Sequence, residues 1–390
     1  MSTRLNRWIA GLLVGMAATG ALVVARQSSE ARRSADFTVL YSAAVLIRQG
    51  QPESVYDQAS LAAIMREVTA QAPADPRLPF DYPLAAALPF VPLTMMSPEP
   101  AFRTWQVLSL ALAFCMLLVL QRAVPIDPRA PWWAMLALLG AAPTWAVLTE
   151  GQFTVLLLSG AVLVIAAAAG GRRWLGAGVG AALLALKPQY LPAFLVLLWT
   201  LGRWKALGAG LAGGAATMAS SLLAGGPAGF TAMVHEGMAS AYLVPLRLSE
   251  SWVGTLAALL PLGDSLSAGL PFFAFSLLIL LILALRRFRS FLALGAVTGT
   301  LCILGSPRTL PHDLLLLTVP AWLAFALERR GQLPTPMPAL ALVQLAILFD
   351  LHGAPLTLTP LALTGLLGAY SWMFRRREAA LSPELKQRAA

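Results

Sequence analysis

The sequence predicts an all-α polytopic membrane protein, a bundle of about twelve spans with short juxtamembrane helices outside the bilayer. Three observations predict it. Hydrophobic residues make up 58% of the 390 and charged residues only 12%, which leaves too little polar surface to coat a soluble core. Apolar runs near the length needed to cross roughly 30 Å of hydrocarbon recur from Trp8 to Phe374. The basic residues sit in short clusters between those runs and form no single patch, so the formal charge of +10 reads as membrane topology and not as a nucleic-acid surface.

The first expected span, residues 8–25, follows Arg4 and Arg7. Small residues crowd Ala17 to Ala21 as they do before a signal-peptide cleavage site. The apolar run is long for a signal core, however, and the chain stays hydrophobic afterwards, so an uncleaved anchor is the better reading. Residues 26–100 then form a long outer loop. Within it a helix starts at Asp36, and Phe37, Leu40, Tyr41, Ala44 and Ile47 follow helical spacing, as in a helix laid on the membrane surface. Gly50 and Pro52 end it. A second short helix starts at Asp57 and turns Leu61, Ile64, Met65 and Val68 to one side. The apolar stretch Pro83 to Met96 is too short to span and is interrupted by Pro89 and Pro92, so it reads as re-entrant or interfacial.

Further spans are expected at 101–120, 132–148, 153–170, 174–186, 189–201, 206–224, 269–285, 290–304, 314–327, 337–350 and 357–374. Spans and loops make one domain, residues 1–374, followed by a basic cytoplasmic tail, 375–390. With a cytoplasmic N-terminus, 18 of the 28 basic residues fall on the inner side, as the positive-inside rule asks. Only Asp127, Glu328, Glu378 and Glu384 of the 18 acidic residues join them. The other acids lie outside, as do His235, His312 and His352, which points to ligand binding or chemistry on that face. Cys115 and Cys302 each sit inside an apolar run, which argues for packing and against a disulfide framework or a cysteine metal site.

Each candidate residue has a functional and a plain reading. Asp36 is a helix cap by position, or a general base held at the membrane surface; a carboxylate engaged as a cap is the poorer base. Asp81 and Tyr82 are a turn and an interfacial aromatic, or a binding pair. Glu150 and Gln152 flank Gly151 in a short outer turn and offer acceptors and donors to sugar hydroxyls. Lys187, next to Pro188, stands at the break of a helical hairpin. An unpaired ammonium in hydrocarbon costs roughly 2.5–3.5 kcal/mol or more, so this one must face protein, water or an anion. Lys187 and Arg308 suit an anionic head group, with interfacial snorkelling the weightier reading for Arg308. His312 and Asp313, after Pro311, cap a span, or with Arg308 stabilise a leaving phosphate or make a weak metal site. His235 with Glu236, and Asp350 with His352, read as solvated loop residues. Phosphate-cradling glycine loops, metalloprotease helices and nucleophile elbows do not occur, so a donor would have to arrive through the membrane.

Five blocks carry a resemblance: DFTVLYSAAVLIRQGQPESVYD from Asp36, FDYPLAAALPFVPL from Phe80, EGQFTVLLL from Glu150, ALKPQYLPA from Ala185 and SPRTLPHDLLLL from Ser306. In this order the sequence resembles glycosyltransferase family 87, the bacterial polyprenyl-phosphate-mannose-dependent mannosyltransferases with the GT-C membrane fold. It departs from the family at Leu84, where a second proline often follows the equivalent of Pro83. The resemblance implies a GT-C-type bundle in the bacterial cytoplasmic membrane, both termini cytoplasmic and the active site outside. It implies that Asp36 is the base, that a polyprenyl-phosphate-linked sugar, with mannose expected, is the donor, and that the acceptor is a glycolipid or polysaccharide. Lys187, Arg308 and His312 would then bind the donor phosphate, and Asp81, Tyr82, Glu150, Gln152 and Asp313 the sugar or acceptor. No metal, cofactor or nucleic acid is expected. The rival reading is a secondary transporter or lipid flippase with its substrate site at Lys187 and Pro188, against which stand the missing internal repeat and the gathering of charge at one face. A noncatalytic scaffold is the third.

Overall fold

The computed structural model describes residues 14–15, 17–22, 25–26, 36–69, 78–170, 173–239, 246–260, 269–285, 290–334, 336–350 and 358–380, and among these it is helical with no strand. His352, residues 381–390 and much of the expected first span lie outside the described residues. Among the described residues two helices are long and apolar enough to cross a membrane, Pro98–Ala123 and Trp204–His235. A third appears if Ala130–Gly140 and Ala142–Glu150 are counted together, bent by 67°.

Ahead of the bundle lie α1, Asp36–Arg48, and α2, Gln58–Thr69. Asp57 starts α2 as its sequence position predicts: the Ser60 N–H donates to its carboxylate at 2.8 Å. Leu61 and Met65 are the buried face. The surface-helix expectation for α1 is corrected, because every residue from Phe37 to Leu46 is buried. Protein covers both of its sides, so the small polar residues Thr38 and Ser42 are enclosed along with the apolar stripe. The stretch expected to be re-entrant is three short 3-10 turns, Leu84–Ala86, Leu88–Phe90 and Pro92–Met95. Pro89 and Pro92, at the starts of the second and third of these, favour such turns and withhold the N–H that a longer helix needs. α1 is tied to them by Tyr41 Oη donating to the Met96 carbonyl at 2.7 Å and by Arg48 donating to the Thr94 carbonyl at 2.6 Å.

The bundle follows: α3 Pro98–Ala123, α4 Ala130–Gly140, α5 Ala142–Glu150, α6 Thr154–Ala168, α7 Trp174–Leu184, α8 Leu191–Thr200 and α9 Trp204–Ala239. After it come α10 Trp252–Leu259, α11 Leu270–Leu285, α12 Phe291–Leu304, α13 Thr318–Arg329, α14 Met337–Asp350 and α15 Thr359–Ala380. The single span expected at 132–148 is the bent pair α4 and α5, broken where Gly140 and Pro143 remove backbone support on either side of Ala141. The span expected from 314 starts as a 3-10 helix, Pro311–Leu317, and becomes α-helical only at Thr318. Helix α9 is interrupted at Gly226, with φ 65° and ψ −178°, directly before Pro227.

α6, α7 and α9 pack most extensively. Glycine makes this possible at the crossing of α6 and α7, where a Cβ on either Gly160 or Gly180 would stand 2.6 Å from the other's carbonyl oxygen. The tight crossing fixes where α7 ends and where Lys187 emerges.

Candidate active site

Five separate stretches of chain meet at one point, and they are the five blocks singled out in the sequence. Asp36 enters from the first turn of α1, Asp81 and Tyr82 from the approach to the 3-10 turns, and Glu150 and Gln152 from the end of α5. Lys187 comes from the break between α7 and α8, and Arg308, His312 and Asp313 from the segment that follows α12.

The turn after α5 shows how local sequence builds the site. Gly151 caps the helix in the left-handed region, φ 65° and ψ 30°, a conformation glycine adopts without steric cost. A Cβ there would stand 2.6 Å from Phe37 Cβ and 2.7 Å from Phe102 Cε2, so glycine also lets α1 and α3 close on the turn. The reversal sends Glu150 and Gln152 to the same side. The Gln152 amide donates to the Asp36 carboxylate and, at 3.3 Å, to Tyr82 Oη. Its other end, Oε1, is buried without a hydrogen-bond partner.

Lys187 is almost wholly buried and carries an ion pair, Nζ to Asp313 Oδ1 at 2.7 Å, with side-chain exposures of 6% and 2%. Its ammonium lies 3.2 Å from His312 Nε2 and 5.8 and 5.7 Å from the ring centres of Tyr82 and Phe153. The requirement that a lysine at this break be paired is therefore met by protein. Asp313 also accepts from the Leu310 N–H at 3.2 Å, so its carboxylate is committed to holding Lys187 and its own turn. Burial is the largest influence and opposes its charge, but Lys187, His312 and the hydrogen bonds from Lys187 and Leu310 together outweigh it and hold the carboxyl below its ordinary range. The sequence expectation had placed Asp313 on the sugar or acceptor; the structure places it behind Lys187.

His312 is buried, and its Nδ1 lies 2.6 Å from Glu150 Oε2, whose side chain remains 42% exposed. Asp36, partly exposed, completes the group: one ligand atom each from Asp36, Glu150 and His312 fall within 4.8 Å of one another, compact enough to be weighed as a cation site. Desolvation by burial and the negative charge of Glu150 push the Asp36 carboxyl above its ordinary range, against His312, the Gln152 hydrogen bond and the Lys187 charge. At the edge, Arg308 pairs with Asp81 at 3.9 Å.

His235 is exposed on α9. Asp350 is corrected from a solvated loop residue: its carboxylate accepts from the N–H groups of Leu358 and Thr359 at 2.7 and 2.8 Å, capping α15. It also adjoins Glu250, which sequence reasoning missed. Buried beside that second carboxylate, Glu250 has its pKa pushed up to about 9. Its N–H donates to the Thr309 carbonyl at 2.7 Å, and Ser249 Oγ accepts from the Thr309 N–H at 2.9 Å. This brace holds the residue next to Arg308. A lone glutamate between Ser249 and Ser251 was the only sequence sign of it.

The profile of glycosyltransferase family 87 matches residues 80–307, more than half of the chain. The chain belongs to glycosyltransferase family 87. The match contains Asp81, Tyr82, Glu150, Gln152 and Lys187, while Asp36, Arg308, His312 and Asp313 lie outside it. No curated protein and no solved structure matches the chain. Family membership and the membrane-capable helices make this family-87 chain a membrane glycosyltransferase, which uses a sugar donor and an acceptor.

Proposed function

We propose that this family-87 protein transfers a hexose, with mannose the expected sugar, from a polyprenyl-phosphate donor to a hydroxyl of an extracytoplasmic glycolipid or polysaccharide, inverting the anomeric centre. The observation that carries the reading is the gathering of a partly exposed carboxylate, Asp36, with a buried and fixed ammonium, Lys187, around Glu150 and His312. A base and a cation held in one small polar site suit a displacement in which a proton leaves one partner and negative charge appears on the other.

In that displacement the acceptor hydroxyl gives its proton to Asp36 as its oxygen attacks the anomeric carbon. The carbon–oxygen bond to phosphate breaks, and its electron pair departs with polyprenyl phosphate. A raised pKa suits Asp36 to the task, because a carboxylate that binds protons more tightly is the stronger base. Lys187 faces the charge that develops on phosphate. Arg308, beside Asp81 at the edge of the site, offers a planar fork to phosphate oxygens. Tyr82, Glu150 and Gln152 present hydroxyl, carboxylate and amide groups to the sugar or acceptor.

The same reading sets about twelve spans in a bacterial cytoplasmic membrane, with both termini inside and the site outside. It is supported by the inner bias of basic residues and by the apolar helices too short to qualify alone, among them Thr154–Ala168 and Phe291–Leu304.

Transfer of labelled sugar from a polyprenyl-phosphate donor by the purified protein in lipid tests the proposal, with wild type set against a folded Asp36→Asn variant. Transfer lost in the variant with donor binding retained is the expected result. Equal transfer by both removes Asp36 from the mechanism. Lipid movement across the bilayer without transfer by wild type would favour a flippase.

A further inference from the structure

The contacts of His312 determine which of its ring nitrogens carries the proton, and that assignment separates the roles of the residues around it. Nε2 faces the Lys187 ammonium at 3.2 Å. Lys187 is held as a cation by Asp313 at 2.7 Å, and an ammonium has N–H groups to donate and no lone pair to accept with. Asp313 Oδ1 lies 3.6 Å from the same nitrogen, too far to accept a hydrogen bond, so Nε2 presents its lone pair to the nearer ammonium. In a neutral ring the proton is then on Nδ1, where it is donated to Glu150 Oε2 at 2.6 Å. Both nitrogens are thus committed, in a side chain that is 2% exposed.

We propose that His312 is a positioning residue, a neutral Nδ1–H imidazole wedged between Lys187 and Glu150, which turns the remaining N–H of Lys187 toward the donor phosphate. The assignment rests on the transfer reaction proposed above and refines it in three respects.

First, the phosphate contact moves from His312 to Lys187. The imidazole has no N–H on the side facing Lys187, whereas the ammonium has three, of which Asp313 takes one and His312 another. The Tyr82 and Phe153 ring centres lie 5.8 and 5.7 Å from the ammonium, and their faces tolerate a cation without an acceptor atom to claim the third hydrogen.

Second, the cation of this site is the ammonium of Lys187. A metal ion on Asp36, Glu150 and His312 would need a lone pair from the imidazole. Taking it at Nδ1 would drive the ring proton to Nε2, donor against donor with Lys187; taking it at Nε2 would displace Lys187 itself.

Third, the two carboxylates are divided. Glu150 accepts from His312, while Asp36 accepts only an amide hydrogen from Gln152 among its described contacts and is left as the base.

Nitrogen-15 NMR of the full-length protein in lipid, labelled at histidine, reads the assignment directly, since the chain has only three histidines and replacing His235 and His352 by glutamine isolates the third signal. The expected spectrum at neutral pH shows Nδ1 protonated and Nε2 bearing a lone pair. A protonated Nε2, or an imidazolium, overturns the proposal whether or not the protein transfers sugar.

The functional arm compares His312→Gln with His312→Leu. A glutamine can accept from Lys187 and donate to Glu150 as the neutral imidazole does, and a leucine can do neither. The expected result is that His312→Gln recovers at least about tenfold of the donor kcat/KM lost in His312→Leu, mainly through KM, the scale of one hydrogen bond to a charged group. Equal losses in the two folded variants overturn it. So does manganese binding that is present in wild type and abolished in His312→Gln.

Discussion

Asp313→Asn removes a negative charge from beside a lysine that has almost no access to solvent. Lys187 and Asp313 meet at 2.7 Å with side-chain exposures of 6% and 2%, so little solvent screening softens the change. Asp313 also accepts from the Leu310 N–H, and an asparagine has one acceptor oxygen where the carboxylate had two. The replacement therefore leaves an uncompensated ammonium and turns an N–H₂ group toward one of two donors. Breaking a buried pair from one side costs about 3–5 kcal/mol. Lys187→Met should cost a similar amount by stranding Asp313. Replacing both partners, Lys187→Met with Asp313→Leu, removes both charges and keeps the volume filled, so the double variant should regain most of the lost stability. Thermal unfolding in lipid nanodiscs gives the cycle, and the transfer assay run beside it should find the double variant folded but inactive. The reasoning is refuted if each single variant stays within about 0.5 kcal/mol of wild type, the range of an ordinary surface change.

Three further outcomes follow from the geometry. Asp36 must be ionised to act as base, and burial together with Glu150 raises its pKa. Activity should therefore fall with decreasing pH at an acid limb above the usual carboxylate range, and Glu150→Gln should move that limb to lower pH; a limb that stays put or rises contradicts this. Glu250 keeps its proton in the folded protein up to about pH 9, whereas in the unfolded chain it ionises near its ordinary 4.5. The unfolded state thus releases the proton first, and stability should decline as pH rises through this window, by up to about 1.4 kcal/mol per unit, with Glu250→Gln flattening the decline in a pH series of melting temperatures. Gly151→Ala places a methyl 2.6 Å from Phe37 Cβ at a positive φ and should cost about 1–3 kcal/mol while lowering transfer, because Glu150 and Gln152 hang on that turn; an alanine variant with wild-type melting would show that the turn is not constrained.

The sequence by itself determined the elements that depend on local chemistry. Apolar runs bounded by glycine, proline and charge marked where most helices lie, Asp57 marked the start of α2, and Pro188 marked the break at which Lys187 stands. It also required Lys187 to find a partner, since a buried lone ammonium is too costly in any fold. Which partner it found was decided by the tertiary structure. Asp313 is 126 residues away, and Gln152 is 116 residues from Asp36; nothing in either neighbourhood encodes the other. The same holds for Glu250, whose raised pKa exists only because folding buries it against Asp350. The errors have one source. α1 reads as lying on a surface, residues 132–148 as a span with no sign of its bend and Asp350 as solvated, because hydropathy records what a segment tolerates and not what packs upon it. Spacing within a helix is set by backbone geometry over a few residues and is legible along the chain. Burial, pairing and the proton on His312 are set by groups that only the closed bundle brings together.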